Sequence, residues 1–157
     1  MRKQIRSFFC AFKGIFSAVR TESHLRFHLV AAFYVIFFAA LGDFSLHQWA
    51  VLILTVCAVI FAELVNTALE DLCDLYTKEY NTKIKRIKDI AAGAVLITAI
   101  ASVFIALCLF VFSDSINLIL QKLTAEPLWF IPLGISAVTS CLFLFLAGRN
   151  AKQKDTD

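Results

Sequence analysis

Glu63, Asn66, Glu70 and Asp74 recur at intervals of three and four in FAELVNTALEDLCDL, residues 61–75. At about 100° per residue these four side chains and Thr67 share one helix sector about 100° wide. Glu63 follows thirteen residues, AVLILTVCAVIFA, in which only Thr55 is polar. A helix that had merely left the lipid would scatter its charges around the barrel; this one aims them one way. A carboxylate at that depth is costly unless it is paired or used, so Glu63 counts first as a functional residue. Its natural chemistry is acceptance of a proton or a share in holding a cation.

A complementary set follows in KIKRIKDIAAGAVLI, residues 83–97. Lys85, Lys88 and Asp89 fall at the N-terminal end of a second apolar helix, where the helix dipole and free N–H groups favour anions. Ala91, Ala92, Gly93 and Ala94 let another helix or a ligand approach closely. Lys83, Lys85 and Arg86 by themselves read as charges that set membrane topology. Upstream, RTESHLRFH (20–28) places Glu22 among cations, suited to a salt bridge or a metal. Together these residues offer carboxylates for a divalent cation, a buried carboxylate for a hydroxyl proton and a lysine at a helix N-terminus. They fit phosphoryl transfer, in which positioning and charge neutralisation supply most of the catalysis. They fit equally a small ion or proton channel with Glu63 as its titrating group. The chain has no GxxxxGK[ST], HRD or DFG motif. His24 and His28 stand four apart without an HExxH motif, which predicts interfacial anchoring rather than metal ligation; His47 reads as a loop residue.

The elements that must position these groups are membrane helices. Sixty per cent of the 157 residues are hydrophobic, and sixteen Phe stand against two Pro and five Gly; mean hydropathy is +0.78. Apolar runs cover residues 49–69, 90–112 and 128–148, each meeting the roughly 20 residues needed to cross about 30 Å of hydrocarbon. The run 29–41 spans if it borrows Leu25, Phe27 and Phe44, with Arg26 snorkelling to the interface. Trp49 and Trp129 open their spans as interface anchors. Pro132 and Gly134 are expected to bend or loosen the first turns of the last span, whose Ser136, Thr139 and Ser140 could bond to another helix. Cys10, Cys57, Cys73, Cys108 and Cys141 never approach CxxC spacing and read as reduced packing residues.

Fourteen of the 15 Lys and Arg residues lie in the N-terminal segment, in 70–89 or in the tail; only Lys122 lies in the other two loops. That asymmetry predicts that both termini and the 70–89 loop are cytoplasmic. The net charge of +3 suggests anionic headgroups and phosphates rather than nucleic acid. No secretory signal peptide is expected, because Lys13 interrupts the first apolar stretch. Ile5, Phe8, Phe9, Phe12, Ile15, Phe16 and Val19 form one helical stripe opposite Lys3, Arg6, Lys13 and Arg20. This is the pattern of an amphipathic helix lying in the membrane interface.

The motif ExxNTAxExxxDL (63–75), the EY at 79–80 and KDIAAGAVLI (88–97) resemble the small prokaryotic diacylglycerol kinases. KGI, RTE and FH (13–28) are similar to the branch of that family that phosphorylates undecaprenol. The resemblance covers roughly residues 3–112. It implies an all-α integral membrane protein of the bacterial cytoplasmic membrane, a homotrimer of three-span subunits using ATP and Mg²⁺ on a lipid alcohol. Undecaprenol is the favoured acceptor and diacylglycerol the alternative. By position, Glu63 would be the general base and Asn66 would orient base and phosphoryl group. Glu22 and Glu70 would hold magnesium. Lys88 would meet the ATP phosphates, with Lys3, Cys10, Glu22, Glu70, Glu79, Tyr80, Asn81 and Asp89 in the nucleotide site. Asn81 stands where many relatives have histidine. Residues 1–112 would form the kinase-like domain, and 113–157 would add a linker, a fourth span and a cytoplasmic tail.

Overall fold

The computed structural model describes residues 2–77 and 79–152. Lys78 and Lys154, counted in the charge pattern, and the side chains of Arg2, Arg149 and Lys152 lie outside the described set. The described chain is helical: α1 (Arg2–Thr21), α2 (Ser23–Leu41), α3 (Leu46–Tyr76), α4 (Thr82–Phe110), α5 (Ser115–Ala125), a 3-10 turn (Pro127–Trp129) and α6 (Phe130–Lys152). The segments Ser23–Leu41, Leu46–Tyr76, Thr82–Phe110 and Pro127–Phe145 are long and apolar enough to cross a membrane. It is an all-α integral membrane protein with an amphipathic N-terminal helix.

Length places the polar stripe. The 31 residues of α3 extend about 46 Å, against about 30 Å of hydrocarbon. Counted from Leu46, about twenty residues exhaust the apolar layer near Asn66, so Glu63 lies just inside it. α3 and α4 each begin at a side-chain cap. Ser45 and Gln48 form a reciprocal capping box at its N-terminus, with Ser45 N donating to Gln48 Oε1 at 2.8 Å. At the far side of the following turn, Asn81 Oδ1 accepts from Lys83 N at 2.9 Å and Ile84 N at 3.4 Å, capping α4.

α3 and α4 form an antiparallel hairpin, and α2 packs along α3. At the end remote from Glu63, Ala39, Phe44, Leu52 and Leu109 make a buried cluster. The Phe44 ring is its wedge, 4.9 Å from Phe110 and 6.0 Å from Trp49 between centroids. Trp49 therefore packs on protein, and Trp129 meets Phe37 edge-on at 6.2 Å. All five cysteines are free; Cys73 alone is buried, and the other four lie on the outside of the chain rather than in its core. α1 keeps its stripe outside the bundle, with Phe8, Phe9 and Phe12 exposed.

Three expectations change. Residues 115–125 are not a linker but helix α5, which seats on the α2–α3 turn. A Cβ at Gly42 would lie 3.2 Å from Ser115 Cβ and 3.3 Å from Ile119 Cδ1, so glycine permits that approach. Lys122 Nζ adds an ion pair to Asp43 Oδ1 at 2.8 Å. Second, α6 runs unbroken through Pro132, which sits in its first turn, where no intrahelical N–H is required. Third, Arg26 does not snorkel. It is 2% exposed and donates from Nη1 to the carbonyls of Val19 at 3.1 Å and Arg20 at 3.0 Å. These are terminal carbonyls of α1, which have no partner within their own helix. The buried cation is thereby partly satisfied, its Nε keeping no partner among the described residues, and α1 is tied to α2.

Replacing Arg26 with Met should free the end of α1, since leaving buried carbonyls unpaired costs about 1–3 kcal/mol. Hydrogen exchange should rise in residues 15–24 while α3 and α4 stay protected; unchanged protection would show that other contacts hold α1.

Candidate active site

The predicted stripe on α3 is graded by depth. Glu63 and Thr67 are buried, at 4% and 7% exposure; Asn66 and Glu70 are half-buried and Asp74 is exposed. Helical spacing puts these groups on one face, and the two glutamates, Asn66 and Asp74 each have a polar contact. Glu63 Oε1 lies 3.1 Å from Nε2 of His28, which reaches across from α2. Asn66 Nδ2 donates to Glu70 Oε1 at 3.0 Å. Asn66 Oδ1 is buried without a partner among the described residues, an unmet acceptor beside a carboxylate. Asp74 takes an ion pair from Lys88 Nζ at 2.5 Å, joining the start of α4 to the end of α3.

The remaining predicted residues surround this stripe without closing on it. Glu22 sits at the N-cap position of α2 in extended backbone, half-buried, and its side chain does not cap the helix. Asn81 is occupied as the α4 cap. Lys3 and Cys10 lie exposed on α1; Glu79, Tyr80 and Asp89 are exposed around the α3–α4 turn. Among the described residues, no three His, Cys, Asp or Glu side chains gather into a metal cage. Beside the stripe, α3 and α4 enclose an apolar groove of about 610 Å³, lined by Ala58, Ala62, Val65, Ala91 and Ala94, with Asn66 as its polar point. The small residues predicted to allow close approach make this groove.

His28 is the site residue that sequence reasoning misplaced. It is not an interfacial anchor but the partner of Glu63. The signal was present: an ionisable side chain in a span calls for a named partner, and His28 meets that description as Glu63 does.

The family model described as "Prokaryotic diacylglycerol kinase" matches residues 9–110. The chain belongs to the prokaryotic diacylglycerol kinase family. It is 36% identical over 110 residues to the undecaprenol kinase of Bacillus subtilis, covering 70% of this chain and 89% of that protein. It is 42% identical over 104 residues to a diacylglycerol kinase of Synechocystis sp., covering 66% of this chain and 59% of that protein. No solved structure matches the chain at a significant level. Of the two chemistries the residues left open, family membership selects phosphoryl transfer: the protein is a membrane-embedded lipid kinase.

The family match ends at residue 110, and α6 meets α2 through Tyr34, whose hydroxyl lies 3.2 Å from Ser136 Oγ and 3.5 Å from Ser140 Oγ. Thr139 bonds only backward, to Ile135 O and Ser136 O. The described part of α6 brings no ionisable group to the stripe. A chain ending at Phe112 loses these bonds, which contribute about 0.6 kcal/mol on average, and the α5 seat on Gly42 with its exposed Lys122–Asp43 pair; it should still insert and phosphorylate lipid, with at most a modest loss of stability. Inactivity of a truncated protein that is folded and inserted would place α6 in the site.

Proposed function

We propose that this kinase transfers the γ-phosphoryl group of ATP, with Mg²⁺, to the hydroxyl of undecaprenol. Diacylglycerol is the second acceptor to consider. The observation that carries the reading is Glu63: a buried carboxylate at the inner limit of the apolar layer, directly above the Asn66–Glu70 pair. A lipid alcohol brings its hydroxyl to that depth while its tail stays in hydrocarbon, and the α3–α4 groove offers an apolar wall beside it. The acceptor is chosen on the undecaprenol kinase of Bacillus subtilis, matched over 89% of its length, and on the KGI, RTE and FH segments.

The donor set suits magnesium. Mg²⁺ keeps several waters and binds through one or two carboxylates plus substrate phosphates, so it needs no protein cage. Glu70, with the unpartnered Asn66 oxygen beside it, and Glu22 would hold it; when bound, the ion neutralises charge on the phosphates. Glu63 accepts the hydroxyl proton as the lipid oxygen attacks, and Asn66 orients base and phosphoryl group. Lys88, drawn by Asp74 to the end of α3, meets the ATP phosphates. Lys3, Cys10, Glu79, Tyr80, Asn81 and Asp89 border the nucleotide. Residues 1–112 carry this chemistry and 113–157 are accessory. The charge asymmetry supports a cytoplasmic placement of both termini and of the nucleotide site in the bacterial cytoplasmic membrane. The apolar residues left exposed on α3 and α4, such as Phe61, Ile97 and Phe104, are compatible with a homotrimer.

Purified protein in micelles, given γ-labelled ATP and each lipid in turn, tests the acceptor; transfer to diacylglycerol alone would reverse the choice. Glu63→Gln should lower kcat by about 10²–10⁴-fold, because the carboxamide keeps the shape but cannot take the proton. ATP binding should survive, and near-native turnover would remove Glu63 as base. Glu70→Gln should raise the Mg²⁺ concentration needed for half-maximal activity, since it removes an oxygen anion from the metal's shell. An unchanged Mg²⁺ titration would take Glu70 out of the metal site.

A further inference from the structure

We infer that His28 is a positioning residue for the transfer step: it holds one oxygen of Glu63 and leaves the other free to take the acceptor's proton. This rests on the reading of Glu63 as the base. A glutamate side chain has three rotatable bonds, and its carboxylate accepts through two oxygens. Within the described residues Glu63 has one polar partner, His28 Nε2, 3.1 Å from Oε1. That bond is the restraint that selects the rotamer in which the second oxygen can meet a hydroxyl.

His28 sits between its helix neighbour Phe27 and a small crevice that it helps to line. Phe27 stands edge-on to the imidazole at 5.8 Å between ring centroids. Behind it lies this crevice of about 80 Å³ between α2, α3 and α4, walled by Ala31, Ala32, Val59 and Ile60.

A neutral imidazole suffices, because it donates through Nε2–H and keeps that proton throughout. In the step, the acceptor O–H bond breaks and its proton passes to the second oxygen of Glu63. The lipid oxygen forms a bond to the γ-phosphorus, and the bond from that phosphorus to the bridging oxygen breaks with its electron pair leaving on ADP. A lysine or arginine at position 28 would grip Glu63 more strongly but would hold it in its anionic form and weaken it as a base. Histidine orients the carboxylate without a fixed positive charge.

The test compares His28→Leu, His28→Gln and His28→Asn in the full chain in micelles, with Glu63→Gln as reference and undecaprenol as acceptor. Leucine keeps bulk but removes the donor, and kcat should fall about 10–100-fold while the KM for ATP stays near wild type. Glutamine places an N–H near the Nε2 position and should recover most of that loss. Asparagine is one methylene too short and should not. Wild-type kcat in His28→Leu would overturn the assignment, as would equal losses in the glutamine and asparagine variants, which would mean packing alone. If leucine prevents folding, the glutamine–asparagine comparison decides alone. An active Glu63→Gln would instead defeat the general-base reading, whereas an inactive Glu63→Gln beside an active His28→Leu would defeat only the role of His28.

Discussion

A carboxylate at the edge of a hydrocarbon layer has to be satisfied by protein, and Glu63 is satisfied from a neighbouring helix. Its bond to His28 requires α2 to lie along α3 in one register. The rest of the bundle secures that register at both ends. Beyond the far end of α2, Phe44 wedges between Trp49 and Phe110 and locks the turn into α3. At the near end, Arg26 ties α2 to the last carbonyls of α1. The Lys88–Asp74 pair then brings the start of α4 to the lower part of the same stripe.

These polar contacts matter because little else distinguishes one arrangement of apolar helices from another. Lipid tails are as apolar as leucine, so burying hydrocarbon between spans gives no hydrophobic drive, and close packing and polar bonds select the arrangement. The chain is sparing with them. Each large ionisable group inside the bundle has a partner: Glu63 with His28, Arg26 with two carbonyls. Among the described residues two buried polar atoms stay unpartnered, Arg26 Nε and Asn66 Oδ1, and the Asn66 oxygen lies where a ligand is expected. Sites of chemistry are where a fold leaves such a group unmet.

α2 separates the candidate site from the added fourth span. His28 and Tyr34 are six residues apart, about 120° around the helix. One faces Glu63 on α3, the other faces Ser136 and Ser140 on α6. The fourth span thus attaches to a face of α2 that the site does not use. α5 closes the opposite end by seating on Gly42, a position where any side chain would crowd Ser115 and Ile119.

Most of the helices could be read directly, because hydrophobic run length and a period of 3.6 are local properties of the chain. The same periodicity grouped Glu63, Asn66, Thr67, Glu70 and Asp74 on one face before any packing was known. Pairings between helices could not be read this way. His28 and Glu63 lie 35 positions apart, and Tyr34 and Ser136 are 102 apart; which rotation of α2 brings them together depends on the whole bundle. Arg26 looked like a snorkelling residue because its span seemed short, but the bend after α1 supplies carbonyls that no local pattern reveals. The 113–127 segment read as a linker because its helix is short and gains its place only by packing on a turn more than seventy residues earlier. Residue types and spacing thus determined the spans and the face that carries the chemistry. Tertiary packing decided which partner satisfies each buried charge, since that depends on the rotation and register of neighbouring helices.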